Sequence, residues 1–112
     1  MDEEITAWLY DILNAINEIE FFFDDKPKNF IAYQSDIKTK RAVERNIEII
    51  GEAMNRILKK DSTVLISNSR KLVDVRNRII HGYDSVSDDM IYGIVIKHIP
   101  LLKVEVVKLL TQ

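Results

Sequence analysis

The chain has 112 residues, of which 46% are hydrophobic, enough for one globular domain with a core of its own. Its 16 Lys and Arg against 18 Asp and Glu give a net charge of -2, which excludes a general basic field for holding nucleic acid. The absence of cysteine excludes disulfides and thiolate metal sites. We therefore expect a single domain spanning residues 1–112, with any anion site formed locally or by an assembly.

The chain begins with the acidic stretch MDEEITAWLY, which lacks the basic region that opens a signal peptide. No apolar run approaches the length that spans a membrane. We expect a soluble, cytoplasmic protein with no membrane partner.

The apolar residues recur at steps of three and four, the spacing of a helix face. The chain has three glycines and two prolines, the residues that most often interrupt a helix. The predicted fold class is therefore all-α. A first helix is predicted from about residue 2 to 24, ending before Pro27. Its core-facing stripe consists of Ile5, Leu9, Ile12, Ile16, Ile19 and Phe23. The consecutive rings of Phe21, Phe22 and Phe23 indicate either a ring that faces a partner or a broad buried face.

The stretch PKNFIAYQSD reads as a connector that could hold one helical turn, with Ser35 or Asp36 as the cap of the next helix. A second helix is predicted from about residue 36 to 60. Its apolar stripe consists of Val43, Ile47, Ile50, Met54 and Ile57. Asn68 or Ser69 is a suitable cap for a third helix, whose inward residues are Leu72, Val75 and Ile79.

Gly82 is placed to end the third helix, because glycine tolerates the left-handed backbone of a helix C-terminus. Ser85 or Ser87 begins a fourth helix, which Pro100 should kink. The stripe of this helix consists of Ile91, Val95, Ile99, Leu102, Val106 and Leu109. Four amphipathic helices with short connections predict an antiparallel four-helix bundle.

The stretch VRNRIIHGYD, residues 75–84, places reactive side chains at the end of the third helix. Asn77 and His81 are four residues apart and share a helix face, and Arg76 can reach the same point. A hydrated histidine titrates near neutrality and can move protons, while the planar fork of an arginine suits a phosphate. These groups indicate RNA cleavage without a metal, in which the 2′-hydroxyl attacks the adjacent phosphate. An alternative is that Arg and His here only complement the helix dipole.

A single histidine serves poorly both as base at the 2′-oxygen and as acid at the departing 5′-oxygen. A two-fold dimer that brought two such helix ends together would supply a second set of groups. It would also concentrate positive charge from Arg76 and Arg78 in one cleft of an acidic protein. We therefore expect a homodimer with RNA bound at its interface.

The motif RNRIIHGY resembles the signature of HEPN-domain ribonuclease toxins of the HepT type, and KRAVERNIEIIGEAMNRI resembles the second long helix of that family. The resemblance implies a homodimeric toxin ribonuclease, with transfer RNA among the candidate substrates. It also implies a nucleotidyltransferase antitoxin of the MntA type that transfers AMP to the motif tyrosine. By position, Arg76 and His81 take the catalytic roles, Asn77 supports them, and Tyr83 is the AMPylation site; Arg78, from its charge in the shared cleft, is expected to bind RNA. No cofactor and no metal are implied.

Other readings remain open from the sequence. Glu48 and Glu52 lie one turn apart, but pairing with Arg45 and Arg56 along a solvated face is favoured over metal binding. His98 has no acid or base beside it in sequence, which favours a structural role. The competing functions are a non-catalytic HEPN dimer that serves as partner or substrate of a nucleotidyltransferase, and a small nucleotide-binding domain. The latter lacks a glycine-rich phosphate loop.

Overall fold

The computed structural model describes residues 2–24, 29–82 and 86–112, which form six helices and contain no strand. The helices are α1 (Glu3–Phe22), α2 (Phe30–Ser35), α3 (Ile37–Lys60), α4 (Ser69–Ile80), α5 (Asp88–Lys97) and α6 (Ile99–Leu110). The all-α class predicted from the apolar spacing is confirmed.

The helices begin where polar side chains satisfy the first backbone N–H groups. Asp36 caps α3 by accepting from the backbone N–H of Thr39 at 3.1 Å, and Ser87 caps α5 by accepting from that of Met90 at 3.2 Å. Both residues were among the predicted caps. Asn68 also precedes its helix, but it has a left-handed backbone with φ 62° and makes no capping hydrogen bond through its side chain. The predicted start of α4 is right, while capping by the Asn68 side chain is wrong.

The core lies where the predicted stripes meet. α3 is central, because α1 packs along one side of it and α4 along another, while α5 and α6 complete the bundle. The largest fully buried side chains come from every long helix: Leu9, Ile12, Ile16, Ile19, Ile47, Ile50, Met54, Ile57, Leu72, Ile91, Ile94 and Leu102. Each predicted stripe therefore faces the interior, although Ile79 and Leu109 at two helix ends are only half-buried.

The last predicted helix is two helices, not one kinked helix. α5 ends and α6 begins at His98, and Pro100 lies in the first turn of α6. A proline is tolerated there because the N–H that it lacks would have no partner within the helix. The expectation of a kink inside one helix is corrected by this finding.

The connector between the first two long helices contains the six-residue helix α2, the turn that the sequence allowed for. Aromatic contacts hold it in place: the ring centroids of Phe30 and Tyr92 are 5.5 Å apart, and those of Tyr33 and Tyr92 are 5.3 Å apart. Tyr33 also stacks on Phe23. This aromatic cluster fastens α2 to the end of α1 and to α5.

The three consecutive phenylalanines have different surroundings. Phe23 is buried, Phe22 is half-buried, and Phe21 is 71% exposed. A broad buried face is therefore wrong for the whole triplet, and the partner expected at one ring stays a prediction. In the described parts of the chain, no helix is both long and apolar enough to cross a bilayer.

Candidate active site

The predicted site lies at the C-terminal end of α4. The helix ends at His81, whose backbone N–H donates to the carbonyl of Asn77 at 3.1 Å. Gly82 follows with φ 66° and donates its N–H to the carbonyl of Ile79 at 3.1 Å. This is the glycine-terminated helix end that the sequence predicts. His81 is consequently an exposed residue in the last turn of a helix that ends with these two hydrogen bonds.

Arg76 lies one turn before this end and is half-buried. Its Nη1 donates a hydrogen bond to Oδ1 of Asn77 at 2.9 Å. Its Nε is buried and makes no hydrogen bond within the described residues. The structure thus brings Arg76 and Asn77 together as predicted, but the stem of Arg76 is buried in the protein and does not swing freely from the surface.

Gly51 of α3 accounts for the depth at which Arg76 lies. A Cβ built on Gly51 would overlap Cβ of Arg76, and it would lie 2.7 Å from the carbonyl oxygen of Leu72. The backbones of α3 and α4 therefore meet closely at this point, and only a residue without a side chain fits. The sequence reasoning missed Gly51. The available signal was a glycine in the middle of a strongly periodic helix, which often marks a close packing contact.

The remaining residues of the motif lie around these groups. Arg78 is exposed on α4, and the neighbouring Ile80 is 44% exposed, so the helix end presents both cationic and apolar surface. Tyr83, the predicted AMPylation site, lies outside the described residues. The structure leaves its assignment as a prediction.

Comparison with known proteins now identifies the family. Residues 12–109 match the family described as "Ribonuclease HepT-like". The chain belongs to the HepT-like ribonuclease family. This membership confirms both the resemblance carried by the two sequence motifs and the ribonuclease class inferred from the chemistry of α4.

Two relatives of this HepT-like ribonuclease come from Methanocaldococcus jannaschii. "Putative RNase MJ0127" is 32% identical over 102 residues, covering 88% of this chain and 80% of the relative. "Putative RNase MJ1380" is 34% identical over 108 residues, covering 92% of this chain and 94% of the relative. No solved structure matches this chain.

Two acidic residues of α3 in this HepT-like ribonuclease, Glu48 and Glu52, are paired along the helix surface. Glu48 lies 3.3 Å from Arg45, and Glu52 lies 2.8 Å from Arg56. Both pairs have the three- or four-residue spacing of a solvated helix face. The charge-pairing interpretation of these glutamates is therefore confirmed.

His98 belongs to the junction between α5 and α6 and is half-buried there. Burial, followed by the charges of Lys71 and Lys97, lowers the pKa of its imidazole. It lies on the junction between α5 and α6, while His81 lies at the end of α4. The two histidines of the chain therefore have separate environments, and the structural role predicted for His98 fits its position.

A sizeable groove among the described residues does not coincide with the predicted site. It has a volume of about 890 Å³ and is lined by residues 61 and 63–67 together with the start of α1 and the end of α6. Residues 61–67 precede α4, so the groove and His81 lie at opposite ends of a 12-residue helix about 18 Å long. None of the described motif residues, 76–82, lines it. The groove contains carboxylates and one lysine but no histidine or arginine.

Proposed function

We propose that this HepT-like ribonuclease is the toxin of a toxin–antitoxin pair and cuts RNA with Arg76 and His81 without a metal ion. The observation that carries the proposal is the end of α4, where an exposed histidine follows a half-buried arginine that Asn77 holds by its Nη1. A proton-transfer group and a fixed cation for a phosphate are thus present within two helical turns. Family membership supports RNA as the substrate.

The reaction begins when the imidazole of His81 accepts the proton of the 2′-hydroxyl, whose oxygen attacks the adjacent phosphorus. Arg76 neutralises the charge that accumulates on the phosphoryl oxygens, and a preorganised cation does this without further reorientation. The bond to the 5′-oxygen breaks as that oxygen takes up a proton. The products are a 2′,3′-cyclic phosphate and a free 5′-hydroxyl.

The protonation of the leaving oxygen is the reason for proposing a homodimer. A second copy, related by a two-fold axis near the end of α4, would supply His81 of the partner subunit as the acid. The same arrangement would bring Arg78 of both subunits to the RNA. The exposed Ile80 supplies apolar surface for contact at this end of the helix.

Control of the toxin is proposed to act through Tyr83. A nucleotidyltransferase antitoxin of the MntA type would transfer AMP from ATP to the phenolic oxygen, releasing pyrophosphate. The attached phosphate, two residues from His81, could then occupy the phosphate position at Arg76 and repel RNA.

Replacing each of the two histidines in turn tests the proposed site. His81→Ala should lower the rate of RNA cleavage about 100- to 10,000-fold, the usual contribution of a general acid or base. His98→Gln is the matched control, because it also removes an imidazole but lies at the junction between α5 and α6, outside the motif, and it should retain the wild-type rate. Circular dichroism should show the same helix content in both. Full activity of folded His81→Ala would refute the proposed role of His81, whereas the absence of cleavage by folded wild type would favour a non-catalytic HEPN dimer.

A further inference from the structure

The close approach of α3 and α4 at Gly51 concerns the very residue proposed to bind the scissile phosphate. The nearest atoms to a Cβ at position 51 are Cβ of Arg76, the carbonyl oxygen of Leu72, and Cγ of Arg76 at 3.0 Å. Two of these atoms belong to the stem of Arg76, and the other is backbone. None is the far end of a flexible side chain, so a side chain at position 51 would force the two helices to shift.

The other end of the Arg76 side chain is held as well. Nη1 donates to Oδ1 of Asn77, while Nε is buried between the stem and the tip. The Arg76 side chain is therefore held at two places. Its stem lies against the α3 backbone at Gly51, and its guanidinium donates to Asn77. A shift of α4 away from α3 would move both and expose Nε.

A glycine in the interior of a helix weakens that helix relative to alanine. Gly93 of α5 provides the comparison within the same chain, because a Cβ built there meets nothing within 4 Å. Alanine would fit at position 93 but not at position 51. The requirement for glycine at position 51 thus comes from its contact with α4.

We propose that Gly51 is a positioning residue, which sets the depth and direction of the Arg76 guanidinium by allowing its stem to lie against the backbone of α3. This role rests on the proposed function of Arg76 in cleavage. A displacement of about 1 Å in a group that acts on the transition state can lower a rate about 100-fold. Gly51→Ala should therefore affect kcat, whereas KM should stay close to that of the control, since RNA also contacts exposed cations such as Arg78.

The experiment compares Gly51→Ala with Gly93→Ala and places Gly51→Ala in the Gly93→Ala background, where the better helix former offsets lost stability. We expect Gly93→Ala to cut RNA at the wild-type rate and the double variant to lose about 100-fold in kcat. In an Arg76→Ala background, Gly51→Ala should cause no further loss of activity. A folded double variant with the kcat of Gly93→Ala would overturn the proposal, as would an equal loss in the presence and absence of Arg76.

A second measurement decides the matter even if Gly51→Ala folds poorly. Arg76→Gly lacks the Cβ that overlaps a side chain at position 51, whereas Arg76→Ala keeps it. Gly51→Ala should therefore lower the unfolding midpoint less in the Arg76→Gly background than in the Arg76→Ala background. Equal losses in the two backgrounds would contradict the contact. Wild-type cleavage by Arg76→Ala alone would refute the proposed function of Arg76, a result that this stability comparison distinguishes from a failure of the Gly51 contact.

Discussion

Arg76 has a buried stem, while its proposed role requires its charge at the surface. Burial of the stem along apolar surface is common for arginine, provided that the guanidinium finds hydrogen bonds. Here Asn77 supplies one of them, and Nε stays without a partner among the described residues. The proposed phosphate would supply acceptors for the remaining donors at the tip.

Arg76→Lys tests whether the planar guanidinium is needed. An ammonium keeps the positive charge but cannot form two parallel hydrogen bonds to a phosphate, so cleavage should fall about 100-fold or more. Rates measured under single-turnover conditions isolate the chemical step from RNA release. Near-wild-type rates would mean that Arg76 acts only as a diffuse charge.

Tyr83→Phe tests the proposed control of the toxin. The variant should cut RNA at the wild-type rate, because the phenol has no role in the proton transfers, and it should escape silencing by the antitoxin and ATP. Mass spectrometry would detect the gain of one AMP unit in the wild type and none in the variant. Tyr33 is a poor substitute acceptor, because its hydroxyl is buried, whereas Tyr10 is 51% exposed.

A variant that is still modified and silenced would move the acceptor away from Tyr83. A variant that is inactive before antitoxin is added would instead place Tyr83 among the groups that bind or cleave RNA. Either result contradicts the division of roles between Tyr83 and His81.

At the scale of single residues, the sequence predicted contacts within one helix better than it predicted how deeply a side chain is buried. Spacing on a helix brings Arg76 to Asn77 from local geometry alone, so this contact could be foreseen. The burial of Arg76 could not, because it depends on how closely a helix distant in sequence approaches. Gly51 carries that information, but a glycine within a helix has several explanations until its neighbour is known.

At the scale of helices, the period of the apolar residues determined which faces are buried, because an apolar stripe is removed from water by packing against the stripe of another helix. The ends of the helices were also predictable wherever a specific backbone or side-chain bond is required, as at Asp36, Ser87 and Gly82. The division of the last helix was not. Pro100 is compatible with a kink inside a helix and with the first turn of a new one, and the sequence pattern is the same for both.

His98, at the junction between α5 and α6, should make the stability of the fold depend measurably on pH. The pKa of His98 is lowered by burial and by Lys71 and Lys97, so the folded protein binds a proton there more weakly than the unfolded chain. This contribution to stability is therefore present above the ordinary histidine pKa and is lost as the pH falls below about 6.5. Thermal melts from pH 8 to pH 5 should show wild type losing stability relative to His98→Gln. Parallel curves would mean that His98 does not destabilise the acidified fold.

At the scale of the whole molecule, an acidic chain must present a cationic surface to RNA. The net charge of -2 gives no general attraction, so the cations must be concentrated at the site. A two-fold dimer at the end of α4 would do this by joining two copies of Arg76 and Arg78. It would also provide the second histidine that the chemistry needs.

Sedimentation equilibrium tests this assembly. Wild type should sediment as a dimer at micromolar concentration, and Ile80→Lys should shift it towards monomer, because a charge would be buried at the contact. Loss of cleavage should accompany the shift, while circular dichroism stays unchanged. A fully active monomer would refute the shared site.

The chemistry of the RNA ends released in the presence of EDTA is the most direct measurement of all. If Arg76 and His81 cut RNA with its own 2′-hydroxyl, wild type should remain active in the chelator and leave 2′,3′-cyclic phosphate and 5′-hydroxyl ends, and His81→Ala should leave neither. Activity that disappears in EDTA and returns with a divalent cation, or products that carry 5′-phosphate ends, would contradict the metal-independent mechanism.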